Sequence, residues 1–283
     1  MIRKVMLLAI LLAAGLQAQA PVQDVVDAEL AFARFTGEHG IKDGFLAFLA
    51  VDAIVFRPGP VYGREVYSRM PASAAFLSWY PVAADRAASG ELGYTTGPYE
   101  YFKSKNDKTA AACGHYVTLW RKEAVCAWKA ELDAGISHAA LPSRPAVLQS
   151  AISAGPVAPS DGADGAEKDV AALEKSLNED YFRKIGALLA PEARAYRDEQ
   201  VPAVGRSNAV ALIIRGTGGW TFSPARTIAA GSGDFAYVYG TAERRGESRG
   251  VGRPEAFAFL RIWKKAPGAD WLVLLDLAAS LQK

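Results

Sequence analysis

The chain has 283 residues, with 32 basic against 30 acidic side chains, 3 histidines and 2 cysteines. A charge so nearly balanced gives no electrostatic case for nucleic acid or an anionic membrane surface as a partner. The few, widely spread histidines and cysteines offer no metal-ligand spacing, and no motif for a redox cofactor is present.

The first 20 residues have the layout of a secretory leader. Arg3 and Lys4 precede the apolar run VMLLAILLAAGL, and the small residues QAQA follow it, as in a cleaved signal peptide. The run is about a dozen residues long, short of the roughly 20 that a membrane-spanning helix needs. Ala18-Gln19-Ala20 satisfies the small-x-small rule but Pro21 follows, so cleavage after Ala18 or after Ala20 both fit. The expectation is an exported chain, periplasmic or secreted, with no membrane span once the leader is gone.

Residues 21–140 open with VQDVVDAELAFARF, where Val22, Val25, Val26, Leu30, Phe32 and Ala33 recur at three-to-four spacing with Asp24, Asp27 and Glu29 between them. That period predicts an amphipathic helix. A short helix (DGFLAFLA), a short strand (DAIVFR) and a brief helix after Gly63-Arg64 come next. A strand meander then runs near 78–88, 92–102, 113–122 and 125–138. Residues 141–165 are rich in Pro, Gly, Ala and Ser and read as a semi-flexible linker. Residues 166–283 repeat the whole order.

The repeat is visible residue by residue. YVTLWRKEAVCAWKAELDAGIS and FLRIWKKAPGADWLVLLDLAAS align without a gap, matching Trp120 to Trp263, Trp128 to Trp271, Asp133 to Asp276 and Ser137 to Ser280. DAIVFR answers EARAYR, Gly63-Arg64 answers Gly205-Arg206, and GYTTG answers AYVYG. Units this long are duplicated domains rather than solenoid repeats. Helices first and an antiparallel sheet afterwards is an α+β pattern, and RGTGGW (215–220) lacks the context of a phosphate loop.

These residues resemble the nuclear transport factor 2-like superfamily, and within it the exported SnoaL-like domains of unknown function. The helix–helix–strand opening, the Gly-Arg pair, the run from Trp79 through SGELGYTTGPYEY and the closing tryptophan hairpin carry the likeness, over roughly 22–138 and 166–281. The second copy keeps the hairpin and is read as lacking the serine-glycine turn and the TTGP phrase. The resemblance implies two tandem cones, each a strongly curved antiparallel sheet wrapped on N-terminal helices, with a pocket at the open end. It also implies pairing through the outer sheet faces, as an intramolecular pseudo-dimer or a homodimer. The superfamily holds isomerases, cyclases, dehydratases and plain binding modules, so fold alone names no activity.

The candidate site residues follow from position. With Trp120 opposite Trp128, His115 faces Asp133 at about 5 Å and the two form an acid–base couple; a slip of one residue sends His115 to the other face. Asp276 is the equivalent carboxylate, with Ala258 in the place of His115. An aspartate shared by both copies also fits a strand-end anchor. Tyr94 and Tyr237, on equivalent strands, offer an apolar body with one hydroxyl, and Trp79 and Tyr99 add aromatic lining for a small apolar or amphipathic molecule. Trp220 is read as the second copy's Trp79. Arg64 and Arg206 fit either an anionic ligand or a packed stem with a paired head. The four hairpin tryptophans are read as structural, either cross-strand pairs or a domain–domain seam, and Cys113 and Cys126 as free, mostly buried thiols. Two readings result: a binding or assembly module with its pocket in the first copy, or an isomerase, cyclase or dehydratase using Asp133 with His115 or Tyr94.

Overall fold

The computed structural model describes residues 22–124, 127–143, 145, 162–215, 219–245, 254–265 and 268–282. The leader, Cys126 and most of the linker lie outside these. The first half runs α1 (Gln23–His39), α2 (Ile41–Phe48), β1 (Leu49–Phe56), β2 (Pro60–Tyr62), α3 (Gly63–Arg69), β3 (Phe76–Trp79), β4 (Ala83–Arg86), β5 (Leu92–Phe102), β6 (Ala112–Lys122) and β7 (Trp128–His138). The second runs α4 (Gly162–Glu179), α5 (Tyr181–Leu188), β8 (Leu189–Arg197), β9 (Ala203–Val204), α6 (Arg206–Ile213), β10 (Gly219–Ala229), β11 (Phe235–Arg245), β12 (Glu255–Lys265) and β13 (Trp271–Ser280). Each half is helices packed on its own sheet, in the order β2-β1-β7-β6-β5-β3 and β10-β11-β12-β13-β8-β9. The pairs are antiparallel except β1 with β7 and β8 with β13, which run parallel.

α1 forms around a buried stripe of Val25, Val26, Glu29, Phe32 and Thr36, the three-to-four period of an amphipathic helix. Leu30, expected on that stripe, is 43% exposed. Glu29 takes the inward place, and Glu174 does the same in α4.

The 78–88 segment is two short strands, β3 and β4, both paired with β5. Pro81 falls between them, where it withholds an N–H from the ladder. Its counterpart Pro224 stays within β10 at a register shift. At this bend the backbone presses on the facing strand. A side chain on Gly97 would bring its first carbon to 1.9 Å from the Tyr80 carbonyl oxygen, and one on Gly240 to 2.2 Å from that of Ser223. The glycine of the TTGP phrase is thus a close-approach glycine.

The hairpin β6–β7 carries a bulge. Trp120 lies opposite Ala130 but Leu119 lies opposite Leu132, so Glu131 is the extra residue; Leu274 is its counterpart in β12–β13. Trp128 faces Lys122 and Trp271 faces Lys265, so the tryptophans are not cross-strand partners as expected. A bulge reverses the alternation of faces. Asp133 therefore points into the cone although Glu131, two residues earlier, bonds Arg121.

The two sheets meet through their outer faces. Leu92, Tyr94, Val117, Leu119 and Ile136 share one apolar cluster with Phe235, Tyr237, Ile262 and the second copy's interior. Burying each such side chain contributes about 1.5–3 kcal/mol. Polar contacts fix the seam. Lys264 bonds the Arg86 carbonyl at 2.6 Å and pairs with Asp234 at 3.3 Å. Asp198 accepts from the backbone N–H groups of Ser137 (3.0 Å) and Ser280 (2.6 Å), so it holds the ends of β7 and β13 together. Ser89 Oγ lies 2.8 Å from Ser232 Oγ, its own equivalent 143 residues on. Contact between equivalent residues marks a twofold axis, here a pseudo-twofold inside one chain. The Ser89-Gly90 turn is therefore retained in the second copy as Ser232-Gly233, contrary to the sequence reading; both glycines have positive φ.

Candidate functional site

The interior of the first cone is built around Glu29, fully buried on α1. Its carboxyl accepts from Trp79 Nε1 (2.5 Å), Trp120 Nε1 (3.1 Å) and, closely, Thr95 Oγ1. Burial nonetheless dominates and lifts its pKa to about 7: the charged form loses more on leaving water than the donors return. Asp133, on β7, accepts from Thr118 Oγ1 across the hairpin at 3.2 Å. Burial lifts it to about 6, against the pull of the Arg57 guanidinium. Arg57, at the end of β1, spends its own donors on the Phe56 carbonyl (2.8 Å) and the Tyr67 hydroxyl (2.7 Å). Tyr116, beside Glu29, Thr95 and Asp133, is buried, and Thr95 is within its reach although the hydroxyl makes no hydrogen bond of regular geometry, an arrangement that leaves it able to accept from a ligand or water.

The second cone holds the same frame with one decisive change. At the position of Thr118 stands Arg261, opposite Asp276. Its guanidinium donates to Glu174 and, at 2.6 Å, to Asp276 Oδ2. Arg197 takes Asp276 Oδ1 at 2.6 Å, and the Tyr181 hydroxyl donates to the same oxygen at 2.9 Å. The Arg261 head lies 4.4 Å from the Phe222 ring centre, 5.2 Å from Phe259 and 5.3 Å from Tyr181, close enough for cation–π attraction. Burial would raise Asp276, but Arg197 and Arg261 overcome it and hold its pKa at about 2. The second interior is filled and neutralised by its own side chains.

The residues singled out from sequence separate into three places. Asp133, Trp79 and Tyr99 belong to the first interior; Tyr99 donates to or accepts from Ser137 at 3.0 Å and also lines a narrow cleft of about 50 Å³ with Tyr80, Cys113 and His138. Asp276 is locked in the second. Tyr94 and Tyr237 lie in the seam, Tyr94 stacked on Phe235 at 6.3 Å, because their strands turn these positions away from the helices. His115 is also on the seam face. It sits opposite Ile136, not Asp133, and its Nδ1 is 2.7 Å from His138 Nε2, so the proposed couple with Asp133 is not formed. Trp120 pairs with Ala130 and not Trp128, a shift of two residues, and the Glu131 bulge adds a third that turns His115 to the face opposite Asp133. Arg64 and Arg206 bond the carbonyls of Leu46 and Leu189, both at 2.8 Å, the packed-stem arrangement. Phe222, not Trp220, is the counterpart of Trp79: Trp79 faces Tyr99 and Phe222 faces Ala242. Cys113 is a free thiol. Among the described residues no group of three metal-binding side chains forms and no helix is long and apolar enough to cross a membrane.

Glu29, Arg57, Tyr116 and Thr118 were missed by sequence reasoning. Signals for two of them were present: for Glu29, a glutamate on the inward stripe of the opening helix in both copies, and for Thr118, the exchange of threonine for arginine between the repeated hairpins.

Neither a protein-family model nor a curated protein sequence matches the chain. Solved structures do. A ketosteroid isomerase-like protein from Erwinia carotovora atroseptica SCRI1043 is 17% identical, covering 42% of this chain and 95% of that one with a TM-score of 0.36. An NTF2-like protein of unknown function from Pseudomonas putida KT2440 is 19% identical, covering 42% and 88%, TM-score 0.35. An LEH-like epoxide hydrolase from M. tuberculosis is 16% identical, covering 41% and 81%, TM-score 0.31. Each match spans about the length of one copy.

Proposed function

We propose that residues 21–140 form a small-molecule-binding unit and that residues 166–283 are its structural partner, in a chain exported by its first 20 residues. The observation that carries this is the exchange of Arg261 for Thr118. The second interior is closed by its own arginine, whereas the first keeps two carboxyls, a phenol without a regular hydrogen bond and slight solvent contact: Asp133 is 8% exposed against 2% for Asp276. Native mass spectrometry of the intact protein, before and after organic extraction, tests the reading. Wild type is expected to retain a small molecule that extraction removes and that Thr118→Arg cannot hold. A bare wild-type chain that also gains no thermal stability from a panel of small-molecule fragments would refute it.

A second reading, acid–base catalysis of the isomerase, cyclase or dehydratase kind, is favoured by Asp133 and Glu29, whose pKa values near 6 and 7 suit proton transfer at neutral pH. Its base is Asp133 and its donor Tyr116, since His115 and Tyr94 face the seam. A proton-exchange assay on carbon-acid fragments, abolished by Asp133→Asn, distinguishes it from binding alone.

A further inference from the structure

The second copy narrows the chemistry of what the first would hold, because Arg261 behaves there as a tethered ligand. Its head is gripped by two carboxylates from α4 and β13 and packed among three aromatic rings. The first copy keeps both carboxyls and two of the three rings at the equivalent places: Glu29 for Glu174, Asp133 for Asp276, and Trp79 and Tyr116 for Phe222 and Phe259, with Ile41 in the place of Tyr181. Thr118 stands where the second copy has its cation. In the second interior two guanidiniums, of Arg197 and Arg261, meet two carboxylates. In the first, the guanidinium of Arg57 acts on Asp133, and Glu29 is held by the neutral donors Trp79, Trp120 and Thr95, so among the described residues no cation stands where Arg261 bridges the equivalent carboxylates.

We propose that the first interior accepts the guanidinium or ammonium head of a small exogenous molecule, at the position Arg261 occupies in the second. This rests on the ligand-binding reading above. Three further observations support it. Tyr116 holds a buried hydroxyl that makes no hydrogen bond of regular geometry, beside Thr95 and both carboxyls. It is 7% exposed where Phe259 is 1%, so solvent touches the first copy at the point where the second is sealed. And both aromatic replacements carry a polar atom, the Trp79 indole N–H already engaged by Glu29 and the Tyr116 hydroxyl able to receive the head's N–H. An anion would meet two carboxyls there. The charged and titratable groups facing Asp133 are Glu29 from α1, Arg57 at the end of β1, Tyr67 from α3 and Tyr116 from β6. Of these only the two carboxyls change charge between pH 5 and 8, so acidification weakens the grip on a cation.

Calorimetric titration of the intact protein with butylguanidinium, butanol and butyrate, at pH 8 and pH 5, tests the assignment. Butylguanidinium is expected to bind saturably at pH 8, at least tenfold tighter than butanol and at least tenfold tighter than at pH 5. Thr118→Arg, checked for folding by circular dichroism, is expected to abolish that binding; Asp133→Asn does the same if the arginine variant fails to fold, and Tyr116→Phe weakens it several-fold. Butanol or butyrate binding that depends on Thr118, with no binding of butylguanidinium, would overturn the cationic assignment and leave the binding unit standing. Butylguanidinium binding unchanged in both Thr118→Arg and Asp133→Asn would place it elsewhere and also overturn the proposal. No binding of any probe, together with a bare native spectrum, would remove both readings.

Discussion

Glu29→Gln isolates the energetics of the first interior. A carboxyl whose pKa rises from 4.5 unfolded to about 7 folded keeps its proton in the native state while the unfolded chain has already lost it. Its contribution is fully present below pH 4.5 and is lost as pH rises through 7. At about 1.4 kcal/mol per pKa unit, the swing is about 3 kcal/mol. Glutamine is a neutral stand-in for the protonated acid that cannot titrate. The free-energy difference between variant and wild type should therefore move by about 3 kcal/mol in the variant's favour between pH 4 and pH 8. Urea unfolding at the two pH values, followed by tryptophan fluorescence and circular dichroism together, reads it. Asp133 shares the low-dielectric site with Glu29, so the step belongs to the pair. The reasoning fails if glutamine shifts stability by the same amount at both pH values, since Glu29 would then carry the same protonation folded and unfolded.

Three more outcomes are expected. Arg261→Thr leaves Glu174 and Asp276 buried with their bridging cation gone and should cost about 3–5 kcal/mol, more than Arg261→Met, as read by urea unfolding. His115 is held near pKa 3 by burial, with His138 and Arg194 adding to it. The unfolded chain takes up its proton near 6.5, so the stability this residue contributes is lost as pH falls from about 6.5 toward 3; His115→Asn should flatten that acid limb, at most about 5 kcal/mol deep, in thermal melts from pH 7 to 4. Asp198→Ala frees two backbone N–H groups at the ends of β7 and β13 at about 1.5–3 kcal/mol each, and hydrogen exchange should speed at Ser137 and Ser280 together.

The duplication, the helix-first order and the final hairpins were all legible in the sequence, because gap-free repeats and three-to-four apolar spacing survive divergence. The inward direction of Asp133 is not deducible from the strand's pattern. Lys129 and Glu131 share its parity, and only the extra residue in the hairpin separates their directions; a bulge leaves no mark in the composition of the strand. Tyr94 and Tyr237 were misplaced for a different reason. A strand buried on both faces shows no alternation, so nothing in GYTTG tells the side that meets the helices from the side that meets the other sheet. Glu29 escapes notice because a charged residue on a helix is ordinarily solvated, although its spacing from Val25, Val26 and Phe32 puts it on the inward stripe.

The contact between Ser89 and Ser232 has a consequence for how the two halves can change. In a dimer of identical chains every substitution appears twice, so an arginine that plugs one interior plugs both. Tethering the halves in one chain removes that constraint: a single codon change can alter one interior and spare the other. It also makes their docking a unimolecular event at millimolar effective concentration, so the pairing survives dilution that would dissociate independent subunits.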